Sequence, residues 1–277
     1  MAREGDIRKR VDDARFNISH GKYEAALALL LVAIDGSAKK VYPDGIKSIF
    51  NPKKEMGNRE RYTRFLGVRL REILGFGVHK NAYYEGELIP ITNSEESLEE
   101  KIYSGLRCNE LHESGLPDDL RYVYLPESSS SGYSLIFTDN NVVFSAGLLS
   151  LLEEVIVKAP CNGKEFGLNH YRLRAKSDDG FQKFIEFYEK DNEDFSIVVN
   201  TLKRLISKVG PEIYNTEEHL IETLLNKNLV KLGGGVTRLL FNPFNNPICV
   251  SVERLSPFGL EVIKGMLKEM EFVDIAQ

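Results

Sequence analysis

The chain has 277 residues, of which 42% are hydrophobic and 28% charged, with a formal net charge of -5. That length sets an expectation of about two domains, and the composition excludes disordered, fibrous and collagen-like classes. The small acidic excess offers no global attraction to nucleic acid, so any such surface must be local.

Cysteines stand at Cys108, Cys161 and Cys249. Their odd count and wide spacing suggest neither a disulfide framework nor a paired-thiol metal knuckle, and a reducing compartment is expected. The first residues, Met1-Ala-Arg-Glu-Gly-Asp6, are charged, and no apolar run approaches the roughly 18 residues that a bilayer span requires. These features predict a cytoplasmic protein without a membrane segment.

Over residues 6–19 the apolar positions Ile7, Val11, Ala14 and Ile18 recur every three or four residues, the period of an amphipathic helix. After the His20-Gly21 break, residues 22–41 are densely aliphatic until Pro43 stops them. Apolar residues on nearly every side mark a central, buried helix. A loop over 42–57 leads to a helix at about 58–74, whose apolar face uses Tyr62, Phe65, Leu66, Leu70 and Ile73. Its other positions carry Arg59, Arg61, Arg64, Arg69 and Arg71, a candidate RNA-binding face for which the plain alternative is a solvated helix surface.

Thr92 followed by Glu95 reads as a capping box opening a helix through Leu98, Ile102, Leu106 and Leu111, closed by Gly115 and Pro117. The N-terminal region is therefore a four-helix arrangement. Four consecutive serines at 128–131 form a loop, and residues 133–138 and 141–145 read as a short hairpin around Asp139-Asn140. A helix over about 147–158 completes a first domain of residues 1–160.

The second domain, 161–277, is smaller and α+β. Helices are predicted at 181–189, 195–209 and 216–227, then strands at 236–241 and 247–252 after the glycines 233–235, and a last helix from Ser256-Pro257 to about Met270. The triple glycine is not a phosphate loop, because no Gly-Lys-Ser/Thr follows it. The histidines His20, His79, His170 and His219 have no ligand spacing, so neither a metal nor a cofactor is expected.

Ile102-Tyr-Ser-Gly-Leu-Arg-Cys-Asn-Glu-Leu-His-Glu113 holds an arginine and a histidine separated by four residues late in a helix. With Tyr23-Glu-Ala-Ala-Leu-Ala-Leu-Leu-Leu-Val-Ala-Ile-Asp35 it resembles the HEPN superfamily over roughly residues 7–158. The resemblance implies a helical bundle, a homodimer that brings two motifs together, and metal-independent cleavage of RNA in a defence or toxin-like setting, with an antitoxin or regulatory protein as a further partner. It implies Arg107 and His112 as catalytic residues, with Asn109 and Glu110 beside them. The position after the arginine is Cys108, where the family commonly has Asn, Asp or His.

The residue types suit that chemistry. His112 titrates near neutrality and can take a proton from a ribose 2′-hydroxyl, and the permanent charge of Arg107 can meet the charge growing on phosphorus. On an α-helix, residues five apart point about 140° from each other, so the pair converges only if the helix distorts or a second copy supplies the other half. Asp35, on an otherwise apolar helix, is placed to orient Arg107, unless it is simply exposed near the turn. The plain alternative for the motif pairs Arg107 with Glu110 or Glu113 and leaves His112 as a favourable charge at the helix end.

Residues 216–230, the glycine-rich strand pair and Leu255-Ser-Pro-Phe-Gly259 resemble a winged-helix domain. Residues 161–277 carry 15 basic and 17 acidic side chains, which gives no net attraction to DNA. Two alternatives to the ribonuclease therefore stand: a non-catalytic HEPN module that binds RNA or protein, and a winged-helix transcription regulator. The acidic Glu217, Glu218 and Glu222 in the candidate recognition helix weigh against the regulator.

Overall fold

The long aliphatic segment Tyr23–Val41 forms the helix around which the first half of the molecule is built. The computed structural model describes residues 6–74, 96–108, 121–125, 134–138, 141–190, 195–229, 247–251 and 253–276. Contacts divide it into two units, the first reaching Leu168 and the second running from Asn169 to Ala276. Both are mainly helical, with small sheets.

In the first unit α1 (Asp6–Ser19) buries Ile7, Val11 and Ala14 against α2 (Tyr23–Val41). The turn between them needs a left-handed residue, supplied by Gly21 at φ 71°. α2 buries Ala26, Leu27, Leu30, Leu31, Ala33, Ile34 and Ala38, and each aliphatic side chain removed from water contributes about 1.5–3 kcal/mol. α3 (Asn58–Leu74) covers α2 with Tyr62, Phe65, Leu66 and Leu70, the expected apolar face. α4 (Leu98–Lys101) opens with a capping box, Ser97 and Glu100 satisfying each other's backbone N–H groups, and continues into a π-helical turn, Ile102–Cys108. Thr92 and Glu95, Gly115 and Pro117, and the serine loop lie outside the described residues.

The expected hairpin is present: β2 (Leu135–Phe137) pairs antiparallel with β3 (Asn141–Ser145). Arg121–Leu125, to which the sequence reading assigns no element, forms β1 and pairs parallel with β3 on its other edge. Tyr124 stacks on Tyr23 of α2, with ring centroids 3.4 Å apart, which ties this sheet to the helices. β3 runs straight into α5 (Ala146–Val157), because Ser145 caps the helix by accepting from the Leu148 N–H and also accepts from the Ser134 N–H.

The first unit continues eight residues past the expected boundary at 160. Asn162, fully buried in a 3-10 turn (Pro160–Asn162), donates to Ser37 Oγ at 2.8 Å and to the Ile156 carbonyl at 3.0 Å. On α6 (Gly163–Phe166), Glu165 pairs with Lys40 and accepts from the Arg8 N–H at 2.9 Å. A buried carboxylate is tolerated only with such partners. Its attachment to α1 and α2 is why this stretch belongs to the first unit.

The second unit begins with β4 (Tyr171–Ala175), then α7 (Asp178–Glu189), α8 (Phe195–Val209), a 3-10 turn (Pro211–Asn215) and α9 (Glu218–Leu229). After residue 246 come β5 (Cys249–Ser251), β6 (Arg254–Leu255), α10 (Pro257–Glu269) and β7 (Met270–Asp274). α10 ends at Glu269, as expected at about Met270, and the chain turns directly into β7, to which the sequence reading assigns no element and which pairs antiparallel with β4. The described partner of β5 is β6, while residues 236–241, expected to pair there, lie outside the described residues. Entry to α10 is tightly set: Ser256 caps it by accepting from the Gly259 N–H, and the Ser256 N–H donates to the Ile248 carbonyl at 2.9 Å. A Cβ on Gly259 would sit 2.1 Å from that same carbonyl oxygen. Glycine is thus required there by close approach of two backbones.

Gly259→Ala is expected to destabilise the second unit by about 1–3 kcal/mol, read from urea unfolding followed by circular dichroism. Gly57→Ala, where a Cβ meets nothing within 4 Å, is the control and stays within about 0.5 kcal/mol.

A second expectation concerns acid. Burial alone would raise the pKa of Glu60, but hydrogen bonds from Ser48 and from the Ile49 N–H, with the charge of Arg64, outweigh it and hold this carboxyl below 4.5. A depressed folded pKa stabilises above the unfolded value and is lost as pH falls through the folded one. The stability advantage of the wild type over Glu60→Gln should therefore shrink as pH is lowered below 4.5 and be constant above it.

Candidate functional site

Two polar side chains that sequence reading sets side by side, Asp35 and Arg107, meet in the first unit. Asp35 lies in the last two turns of α2, and its side chain is 20% exposed. Arg107, 8% exposed, donates from Nη2 to Asp35 Oδ1 at 3.3 Å. The guanidinium also lies over the ring of Tyr103, 5.2 Å from its centroid. Tyr103 in turn packs against Tyr62 of α3 at 5.3 Å. A carboxylate at one edge and a ring at one face fix the plane of the guanidinium, which restricts the directions in which its other N–H groups can point.

The helix carrying Arg107 is not regular. Ile102 and Leu106 are buried four residues apart and face the core. Ser104 Oγ donates to the Glu100 carbonyl at 2.8 Å, a side-chain bond that competes with the backbone ladder, and Gly105 stabilises a helix poorly. Here the chain adopts its π turn, with i→i+5 bonding in place of i→i+4. Positions five apart, opposed on an α-helix, are drawn toward one face by such a turn. The described part of this turn reaches Cys108, one residue past Arg107. His112, Asn109 and Glu110 lie outside the described residues, so their distances from Arg107 are not part of this geometry.

Tyr103 is the residue that sequence reading missed, although its position four before Arg107 is the spacing at which helical neighbours touch. Glu99, four residues earlier again, is fully buried and packs so closely on α3 that a Cβ at Gly67 would lie 2.6 Å from its Oε1. Glu99, Tyr103 and Arg107 thus form one stripe along α4 and its π extension.

The arginines of α3 do not form the expected open basic face. Arg61 and Arg64 are buried, their side chains 7% and 2% exposed; Arg61 pairs with Asp44 at 3.1 Å, and Arg64 with Glu60 at 3.3 Å while lying over Phe50. Arg69 pairs with Glu72 and donates to the Lys158 carbonyl at 2.6 Å. Exposed Arg59 pairs with Glu100 at 3.0 Å, and Arg71 is half-buried with partners of its own. Each guanidinium is already bonded within the fold, because charge at the core side of a helix must be neutralised there. Of the residues expected to form an RNA-binding face, Arg59, Arg61, Arg64, Arg69 and Arg71, the structure buries Arg61 and Arg64, half-buries Arg69 and Arg71 and leaves Arg59 exposed.

Among the described residues, no group of three or more His, Cys, Asp or Glu side chains is placed to hold a metal ion. His20 is engaged with the Phe16 carbonyl at 2.8 Å, and His219 lies 3.4 Å from Glu217. Cys161 and Cys249 are buried thiols, pushed up by burial to about 11 and about 12. They are poor nucleophiles near neutrality. No helix among the described residues is long and apolar enough to cross a membrane.

No curated protein and no solved structure matches the chain. A family model described as Rv1289 matches residues 6–194, well over half of its length, a stretch that contains Asp35, Tyr103 and Arg107 as well as β4 and α7. The chain therefore belongs to the Rv1289 family.

Proposed function

We propose that the first unit is a HEPN-type endoribonuclease that cleaves RNA without a metal, acting as a homodimer, with Arg107 and His112 as its catalytic residues. The observation that carries this reading is the Asp35–Arg107 pair on a π-helical turn: an arginine held by a carboxylate 72 residues away, where the helix departs from α geometry. π turns recur at functional sites. A guanidinium fixed in orientation before substrate arrives meets the charge of a phosphorane-like transition state without reorganising. In this scheme His112 takes the 2′-hydroxyl proton as the oxygen attacks phosphorus, and a protonated imidazole returns one to the leaving 5′-oxygen. Asp35 is a positioning residue, since it reaches the reacting atoms only through Arg107.

A second reading is favoured by the burial of Arg107: a HEPN-like module without catalysis, in which Asp35, Tyr103 and Arg107 only lock α4 to α2. The winged-helix reading of the second unit draws support from the Leu255-Ser-Pro-Phe-Gly259 entry to α10, whose glycine is required by contact with Ile248.

Incubation of a mixed RNA with the protein in EDTA separates the two readings. Wild type is expected to cleave, with Arg107→Ala and His112→Ala slower by about a hundredfold or more. Asp35→Asn, which keeps the shape and loses the charge, should slow cleavage by about tenfold, chiefly in kcat. Intact RNA after prolonged incubation with folded wild type would overturn the enzymatic reading, as would undiminished cleavage by Arg107→Ala.

A further inference from the structure

The loop between α2 and α3 carries the most exposed large apolar side chain among the described residues, Phe50, 69% exposed. Ile49 beside it is 44% exposed, and Pro52 is exposed as well. Scattered singly, such residues need no explanation; side by side, they mark a surface that meets something.

Hydrogen bonds hold this tip in place. The Lys47–Glu55 bridge joins the two arms of the loop, with the Met56 N–H donating to the Ile46 carbonyl at 2.8 Å and the Ser48 N–H to the Lys54 carbonyl at 3.0 Å. Within the tip, the Lys54 N–H donates to the Asn51 carbonyl at 2.8 Å, the Asn51 N–H to Ser48 Oγ at 3.0 Å and the Lys53 N–H to Asn51 Oδ1 at 3.3 Å. From α3, the Glu60 carboxylate accepts from the Ile49 N–H at 2.8 Å, and the Phe50 N–H is directed at it. The Arg64 guanidinium lies over the Phe50 ring, 4.8 Å from its centroid. From Ser48 to Lys54, then, every backbone donor is turned inward, and Pro52 has none to offer. The apolar side chains alone face water.

Charge completes the pattern. From Ile46 to Lys54 the loop holds Lys47, Lys53 and Lys54, all exposed, and no acid. The acids around it are engaged: Asp44 pairs with Arg61 at 3.1 Å, Glu60 with Arg64 at 3.3 Å, and Glu55 stands opposite Lys47 in the bridge. Lys53 and Lys54 therefore leave the tip positive, directly beside Ile49, Phe50 and Pro52. Apolar side chains that bring no unsatisfied N–H with them, flanked by ammonium groups on long aliphatic stems, match an anionic lipid interface, where the rings meet acyl chains and the lysines reach headgroup phosphates. A protein partner would gain from backbone donors as well, and from Ser48 to Lys54 none is free.

We propose that the Ile49–Phe50 tip docks the protein on an anionic phospholipid membrane, with Ile49, Phe50 and Pro52 entering the interface and Lys53 and Lys54 meeting phosphate. This is attachment to a surface and not a span, and it stands apart from the ribonuclease reading.

The chain has no tryptophan, so Phe50→Trp puts a single reporter at the tip, and Phe187→Trp, at an exposed phenylalanine of the second unit, supplies the control. Emission of each full-length variant is followed as vesicles of phosphatidylcholine with about 30% phosphatidylserine are added, and again with phosphatidylcholine alone. The anionic vesicles are expected to shift Phe50→Trp to the blue and to leave Phe187→Trp unmoved. In flotation with the same vesicles, an Ile49→Ser, Phe50→Ser double variant should bind at least about tenfold more weakly than wild type. Lys53→Gln, Lys54→Gln should also lose about tenfold. Both double variants are checked for a wild-type circular dichroism spectrum. No shift at the tip, with wild type left behind in flotation, overturns the proposal and is the result expected if the tip binds a protein. Equal shifts of the two tryptophans, or undiminished flotation of the Ile49→Ser, Phe50→Ser variant, reveal adsorption through some other surface and overturn it as well.

Discussion

A helix that is apolar on nearly every side can lie at the centre of a domain only if each polar group it carries finds a partner brought from elsewhere. α2 meets that demand along its C-terminal half. Ser37 receives Asn162, Lys40 receives Glu165, and Asp35 receives Arg107. All three partners are distant in sequence, and each draws a different segment onto the helix: the 3-10 turn, α6 and the π extension of α4. An unpaired donor or charge at any of these places costs more than the bond contributes when made. The three contacts thus act mainly by excluding arrangements in which they are broken, while apolar burial supplies the stabilisation.

The same demand explains what α3 does with its arginines. Their side chains pass through the packed side of the helix, where charge cannot stay bare, and Asp44, Glu60, Glu72 and Glu100 converge on them. Counting basic residues along the sequence detects the arginines but not the acids, because Asp44 and Glu100 arrive from outside the helix. In the second unit β4 and α8 carry no acid of their own, and Arg174 of β4 is met by Glu271 from β7, a partner nearly a hundred residues away in sequence.

Much of the helical framework was legible in the sequence. Residues 6–19, 58–74 and 195–209 have boundaries that the apolar period and flanking residues define locally, and the structure has helices there. The small sheets were less accessible. β4 and β7 pair across about a hundred residues, and β1 runs parallel to β3, so neither pairing announces itself through a turn. The hairpin of β2 and β3 was readable because only three residues separate its strands. At the candidate site, Arg107 and Asp35 were visible as a charge and a lone carboxylate. The part of Tyr103 was not, since tyrosine four residues before an arginine is ordinary on any helix. The π turn depends on Ser104 bonding back to Glu100, a local competition that hydrophobic periodicity does not register.

The attachment of α6 to α1 and α2 bears on the order in which the chain can fold during synthesis. Arg8 and Lys40 are made early, but Glu165, which binds both, is made after almost the whole of the first unit. The same is true of Asn162, which occupies Ser37. At about 5–20 residues per second, the central helix waits several seconds or more between leaving the ribosome and receiving these last partners. Through that interval α1, α3 and, once made, α5 can cover its apolar surface, but Ser37 and Lys40 stand without these partners. The nascent chain is therefore most exposed to aggregation before residue 166 emerges, and closure of the first unit is a late event that need not await the second unit.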